Sequence, residues 1–238
     1  MWSWCCCRKK PRSAKKYKPF LPTLYDPEGC LSLQRFQPII KGSKCIFARA
    51  ARLWGSSDYD MSMTLEENVL QNVAPWLLQM LRRGEKERID GFVFEIRTSN
   101  SAGPNHGDLD SYNELLARTL RCIASIDLVN TSNDYNGSTD LICARNNSTK
   151  TLINEKTRLL VFAGYQLFST TFPPCSNTSS SRYTHNADKN SIFILFQPNY
   201  SFERHCRSRN GGFMEWRRVA AIRDRVRQLF ANAGQGYI

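Results

Sequence analysis

At 238 residues, 41% of them hydrophobic, the chain has enough apolar material for an independent core, so neither a structural metal nor a disulfide framework is required for stability. The formal net charge of +12 is unevenly placed: Arg8, Lys9, Lys10, Arg12, Lys15, Lys16 and Lys18 lie together without an acid, and a second basic cluster runs from Arg204 to Arg227. Charge alone would suit nucleic acid, but zinc-finger spacing, RNP-type aromatic strands and basic heptads are all missing, which sets that class aside.

The nine cysteines are odd in number and show no repeated CxxC spacing, which argues against a zinc site or an ordered disulfide set. No apolar run reaches the roughly 18 residues that a membrane-spanning helix needs. Sequons at Asn130, Asn136, Asn146, Asn147, Asn177 and Asn199 arise readily in Asn/Ser/Thr-rich loops. The first residues lack the apolar core of a signal peptide, so reduced thiols and a cytoplasmic location are expected.

The chain opens MWSWCCCRKK. Adjacent thiols beside a polybasic run are the composition of S-acylation combined with attraction to anionic lipid, the two-signal arrangement of peripheral membrane contact. Residues 1–32, with Pro11, Pro19, Pro22 and Pro27 and no apolar periodicity, read as a basic disordered tail, and the folded part is expected from Leu33 to Ile238.

Leu65, Val69, Val73, Trp76, Leu77, Met80 and Leu81 recur at helical spacing behind a Thr64/Glu67 capping box, and Pro75 predicts a kink or a pair of short helices. A strand is expected over 92–97 and a helix over about 109–123, with Tyr112, Leu115, Leu116, Thr119, Leu120 and Ile123 on one face. Residues 130–154 carry no pattern and read as a polar loop insertion. Residues 159–162 and 167–172 flank an Ala163-Gly164-Tyr165 turn as a hairpin, Ile192–Phe196 reads as a buried central strand, and a helix is expected over about 215–230. Together these predict a single α+β domain, a mainly antiparallel central sheet flanked by helices.

Three segments hold residues that packing does not explain. Cys45 sits between cationic Lys44 and Arg49, a setting in which thiols attack or ligate, and in an extended segment it would point the same way as Phe47. The loop PPCSNTSSSRYTH, residues 173–185, offers Cys175, Arg182 and His185 between two strands. Gln197 ends the central strand, where an amide can orient a ligand, although the Pro198 that follows is also a simple terminator.

In this order the segments resemble the YqcI/YcgG family. Cys45, Phe47 and Ala48 fit its Pro-Cys-x-Phe-(Ala/Gly) segment, with Lys44 in the proline place. Asp110 to Asp127 with Tyr112, Val161 to Phe168 with Gly164, Phe196-Gln197-Pro198 through Phe202, and Ile222-Arg223-Asp224-Arg225 follow its later motifs, covering most of residues 33–238.

The resemblance implies a haem-dependent N-oxygenase acting on a guanidino or amine-containing small molecule. Cys45 would be the metal ligand, Phe47, Cys175 and His185 would bind the cofactor, and Arg182 and Gln197 would act at the catalytic centre. Pro174, Cys175 and Arg182 fit a family loop whose histidine position is Ser176 here. A serine hydroxyl cannot replace imidazole as an iron ligand or as a base near neutral pH. Cys175, His185 or Cys45 would then have to supply the ligand. The alternative is a catalytically degenerate, non-enzymatic binding protein on the same fold.

Overall fold

The computed structural model describes residues 26–45, 47–98, 109–128, 141–143, 153–154, 159–206 and 216–236. Its elements are α1 (Leu31–Gly42), β1 (Leu53–Gly55), α2 (Leu65–Asn68), α3 (Ala74–Glu87), β2 (Gly91–Arg97), α4 (Leu109–Ala124), β3 (Ile126–Leu128), β4 (Leu141–Cys143), β5 (Ile153–Asn154), β6 (Leu159–Phe162), β7 (Tyr165–Phe172), β8 (Ser191–Pro198), α5 (Asn199–Cys206) and α6 (Trp216–Asn232). The cysteine-rich start, the 99–107 loop and most of the 130–154 insertion lie outside the described residues.

Six strands form one mixed sheet in the order β1-β2-β8-β7-β6-β5, while β3 and β4 make a separate antiparallel ribbon. Only the β1–β2 pair within the large sheet is parallel. The single α+β domain read from the sequence is the architecture found.

Strand alternation divides the core in two. Phe92, Phe94 and Ile96 of β2 and Ile192, Ile194 and Phe196 of β8 face α2, α3 and α4. Val93 of β2 and Phe193 and Leu195 of β8 face α1, where Leu33, Phe36 and Ile39 cover them. Phe36 sits against both Phe172 and Phe193, with ring centroids 5.3 and 5.4 Å apart.

Pro75 produces neither a simple kink nor a break. It occupies the first turn of α3, and residues 69–73 before it form a π-helical turn in which Ala74 N–H reaches the Val69 carbonyl. The wider turn accommodates a ring that would otherwise crowd the carbonyl four residues back. The Thr64/Glu67 capping box is present in full.

The folded body reaches further back than Leu33. α1 begins at Leu31, and the 26–29 turn joins the sheet edge through Gly55 N–H to the Pro27 carbonyl at 2.8 Å. The insertion likewise contains structure: 141–143 pairs with β3, and 153–154 extends the large sheet beside β6.

A carboxylate is enclosed between β2, β8 and α1. Glu95, on the α1 face of β2, has no exposed surface; it accepts from Arg35 Nη1 at 2.8 Å and from Ser191 Oγ at 2.5 Å. Removing one partner of such a pair leaves an uncompensated buried charge. Arg35→Leu should cost about 3 kcal/mol in urea unfolding, the low end for a buried pair because Arg35 retains water contact. The double change Arg35→Leu/Glu95→Leu should recover most of that loss. A double variant no more stable than the single would show that the pair does not carry the cost.

Candidate functional site

The corner between the end of α1 and the 173–190 loop gathers part of the sequence-predicted site. α1 ends at Gly42, Ser43 N–H reaches back to the Ile39 carbonyl at 3.0 Å, and Ser43 Oγ accepts from Cys45 N–H at 3.1 Å. The Cys45 segment is therefore a turn rather than an extended strand. It leads through Phe47 into a 3₁₀ turn at Ala48–Ala50, so the shared direction expected for Cys45 and Phe47 does not arise from strand alternation.

His185 lies directly on this turn: a Cβ at Gly42 would come within 2.2 Å of its ring. Tyr183 meets the same imidazole edge-on, with centroids 4.8 Å apart. His185 and Asn186 both adopt left-handed backbone, φ 49° and 65°, which turns the chain so that Ala187 enters the α1-side core. Burial, and after it the charge of Lys44, lowers the His185 pKa below its ordinary 6.5.

Arg182 lies over the ring of Phe172 at 5.9 Å, and Phe172 in turn meets Phe36. The serines and asparagines around them fold the loop. Asn177 Oδ1 accepts from Ser179 N–H and Oγ, Ser180 Oγ accepts from Arg182 N–H, and Gly236 exchanges backbone bonds with Ser179 and Ser181. Ser176 N–H reaches the Pro173 carbonyl at 3.1 Å.

The remaining predicted residues lie elsewhere. Cys175 packs into the opposite core beside α4, where burial and then Cys175 raise the pKa of the Tyr112 hydroxyl. Gln197 pairs with Phe168. It stands six residues along β8 from Ser191, roughly 20 Å away at strand rise. Haem needs an axial ligand opening onto a dry slot, with its neighbours on the same side. His185 is flanked by Gly42 and Tyr183, and the six residues are divided between two sheet faces and two strand ends. Among the described residues these six do not come together as one haem site.

A second corner, missed in the sequence, lies where β1 forms the sheet edge. A pocket of about 290 Å³ is lined there by the 26–28 turn, Arg52, Trp54, Trp76, Gln79, Arg83 and Glu87. Trp54 Nε1 donates to Glu28 Oε1 at 3.2 Å, and Arg52 grips the same carboxylate while its Nη1 donates to the Glu87 carbonyl at 2.8 Å. Arg83 stacks over Trp54, 5.2 Å from the ring centroid, and its Nε donates to Glu87 Oε1 at 2.6 Å.

Trp76, Gln79, Arg83 and Glu87 recur at three- and four-residue spacing along α3, which was the available signal. Their convergence with Trp54 and Glu28 depends on β1–β2 pairing and could not be read locally. Below this corner, buried Asp90 fixes α5 to the sheet edge by accepting from Arg204 and from Ser201 Oγ, while its Oδ2 receives Arg52 N–H.

Because the unfolded chain protonates first, His185 costs stability as the pH falls through 6.5 toward the lowered folded value, and contributes nothing above that window. His185→Asn, which keeps a residue tolerant of left-handed backbone, should flatten the dependence of Tm on pH below 6.5 relative to the parent. Circular-dichroism melts across that range measure it; parallel curves would mean that His185 is not held neutral. No protein-family model, curated protein or solved structure matches the chain.

Proposed function

We propose that the protein is a non-enzymatic binding protein that takes a small polar molecule at the β1 edge, on a body of the YqcI/YcgG type. One observation carries this reading. Of the residues that suggested catalysis, Cys175 packs on the sheet face opposite His185 and Arg182, while the Trp54 corner gathers charged groups that pair with one another around a cavity. The family resemblance rests on Cys45, Phe47, Ala48, Gly164, Phe196, Pro198 and Phe202.

The competing reading is a haem-dependent N-oxygenase of guanidino or amine compounds. It draws on the meeting of His185 with the Gly42–Cys45 turn and on the lowered pKa of His185, since neutral imidazole is the ligating form. Purification from haem-supplemented cells, followed by hemin titration, separates the two. The binding reading expects colourless protein and no saturable Soret shift. Stoichiometric haem lost in Cys45→Ala or His185→Ala would instead establish the oxygenase type and name its ligand.

No described helix is long and apolar enough to cross a membrane. We place the protein at a membrane surface through acyl chains on Cys5, Cys6 and Cys7 and the basic residues that follow. Cell fractionation should find it with membranes, and hydroxylamine, which cleaves thioesters, should release it. A protein found in the soluble fraction throughout refutes the anchor.

A further inference from the structure

The β1-edge pocket has hydrogen-bonding capacity that the described residues do not use, and the inference drawn from it rests on the binding reading above. Arg83 is held on two sides, by Glu87 at its Nε and by the face of Trp54. Its two terminal amino groups have no partner among the described residues. A half-exposed guanidinium oriented by these two contacts presents its outer fork to solvent, and the complement of that fork is an oxyanion held by two parallel hydrogen bonds.

The surroundings narrow the ligand further. Arg83 already covers Trp54, so a ligand cation has no open indole face there. Trp54 and Trp76 are 2% and 5% exposed and offer little apolar area. Glu28 is engaged by Arg52 and Trp54, whereas the second oxygen of Glu87 and the amide of Gln79 make no hydrogen bond among the described residues. These groups suit hydroxyls, and the carboxylates of Asp26, Glu28 and Glu87 that line the pocket confine an anionic head to the outer edge of Arg83. A cavity of about 290 Å³ holds one small ligand.

We infer that this pocket binds a small polyhydroxylated oxyanion of the sugar-acid or sugar-phosphate class, with its anionic head on the free edge of Arg83 and its hydroxyls on Gln79 and Glu87.

Isothermal titration calorimetry of the full chain against gluconate, glucose 6-phosphate, glucose, inorganic phosphate and ethanolamine tests this. Gluconate or glucose 6-phosphate should bind saturably, and the tighter of the two identifies the source of the oxyanion. Arg83→Gln should weaken that binding roughly ten-fold or more. Arg83→Lys should weaken it too, since it keeps the charge and loses the fork. Arg82→Gln removes the same charge from a neighbouring residue outside the pocket and should leave binding unchanged. Melting temperatures confirm that each variant is folded.

The proposal is overturned if none of the probes binds below about 10 mM. It is overturned equally if glucose, phosphate or ethanolamine binds as tightly as the sugar oxyanions, or if Arg83→Gln binds like the parent. Absent oxyanion binding with a colourless protein sinks the sugar-oxyanion assignment and leaves the reading of a non-enzymatic binding protein standing. A stoichiometric Soret band with intact gluconate binding sinks that reading and leaves the pocket.

Discussion

β8 is paired along both edges and covered on both faces, and the placement of every other element follows from that enclosure. With β2 on one side and β7 on the other, its backbone donors and acceptors are satisfied by the ladder. Its side chains must then be apolar in both directions, which Ile192, Phe193, Ile194, Leu195 and Phe196 supply. Helices have to cover both faces: α3 and α4 carry wide apolar stripes to one, and α1 brings Leu33, Phe36 and Ile39 to the other. Polar chemistry is thereby displaced to the sheet edge and to the strand-connecting loops. Glu95 on the neighbouring strand is a buried charge within the sheet, and it is tolerated because Arg35 and Ser191 complete its hydrogen bonding.

The elements legible in the sequence are those whose pattern burial dictates. α4 shows its stripe because one face meets the core, β2 and β8 show apolar runs because both faces are covered, and the β6–β7 hairpin shows Gly164 because the turn takes positive φ there, 79°. α1, β1 and α5 left no comparable signal. α1 has a narrow apolar face and contains Pro38, which reads as linker; β1 has three residues; α5 begins immediately after Pro198, which reads as a stop. Long-range pairing, rather than local preference, determines all three.

Candidate site residues were legible only as residue types. Cys45, His185 and Arg182 do come to one corner, but Cys175 goes to the other side of the sheet because the first turn after β7 carries it toward α4. Sequence order put Cys175 and Arg182 in one short loop, and proximity in the chain suggested proximity in a site. The connection between two neighbouring interior strands passes over the strand ends there, so the two faces are separated within seven residues. The Trp54 pocket shows the converse: Glu28, Trp54 and Arg83 are far apart in the chain and are joined by the register of Leu53, Trp54 and Gly55 on Gly91, Phe92 and Val93.

The two corners also differ in what their polar groups have left to offer. In the 173–190 loop, Asn177 and Ser180 bond neighbouring backbone, the Arg182 guanidinium lies on Phe172, and His185 fills the space that Gly42 leaves by having no side chain. Moving any of these toward a ligand would break a contact that holds the loop to α1 or to the end of α6. At the β1 edge the fixing contacts involve one edge and one face of Arg83, so its outer edge can engage a ligand without loss of a protein contact. A group contributes to binding when its orientation is fixed by the fold and its remaining hydrogen bonds are not. By that criterion the polar groups of the 173–190 loop are engaged in holding the loop itself, while Arg83 at the edge strand keeps its outer edge without a partner among the described residues.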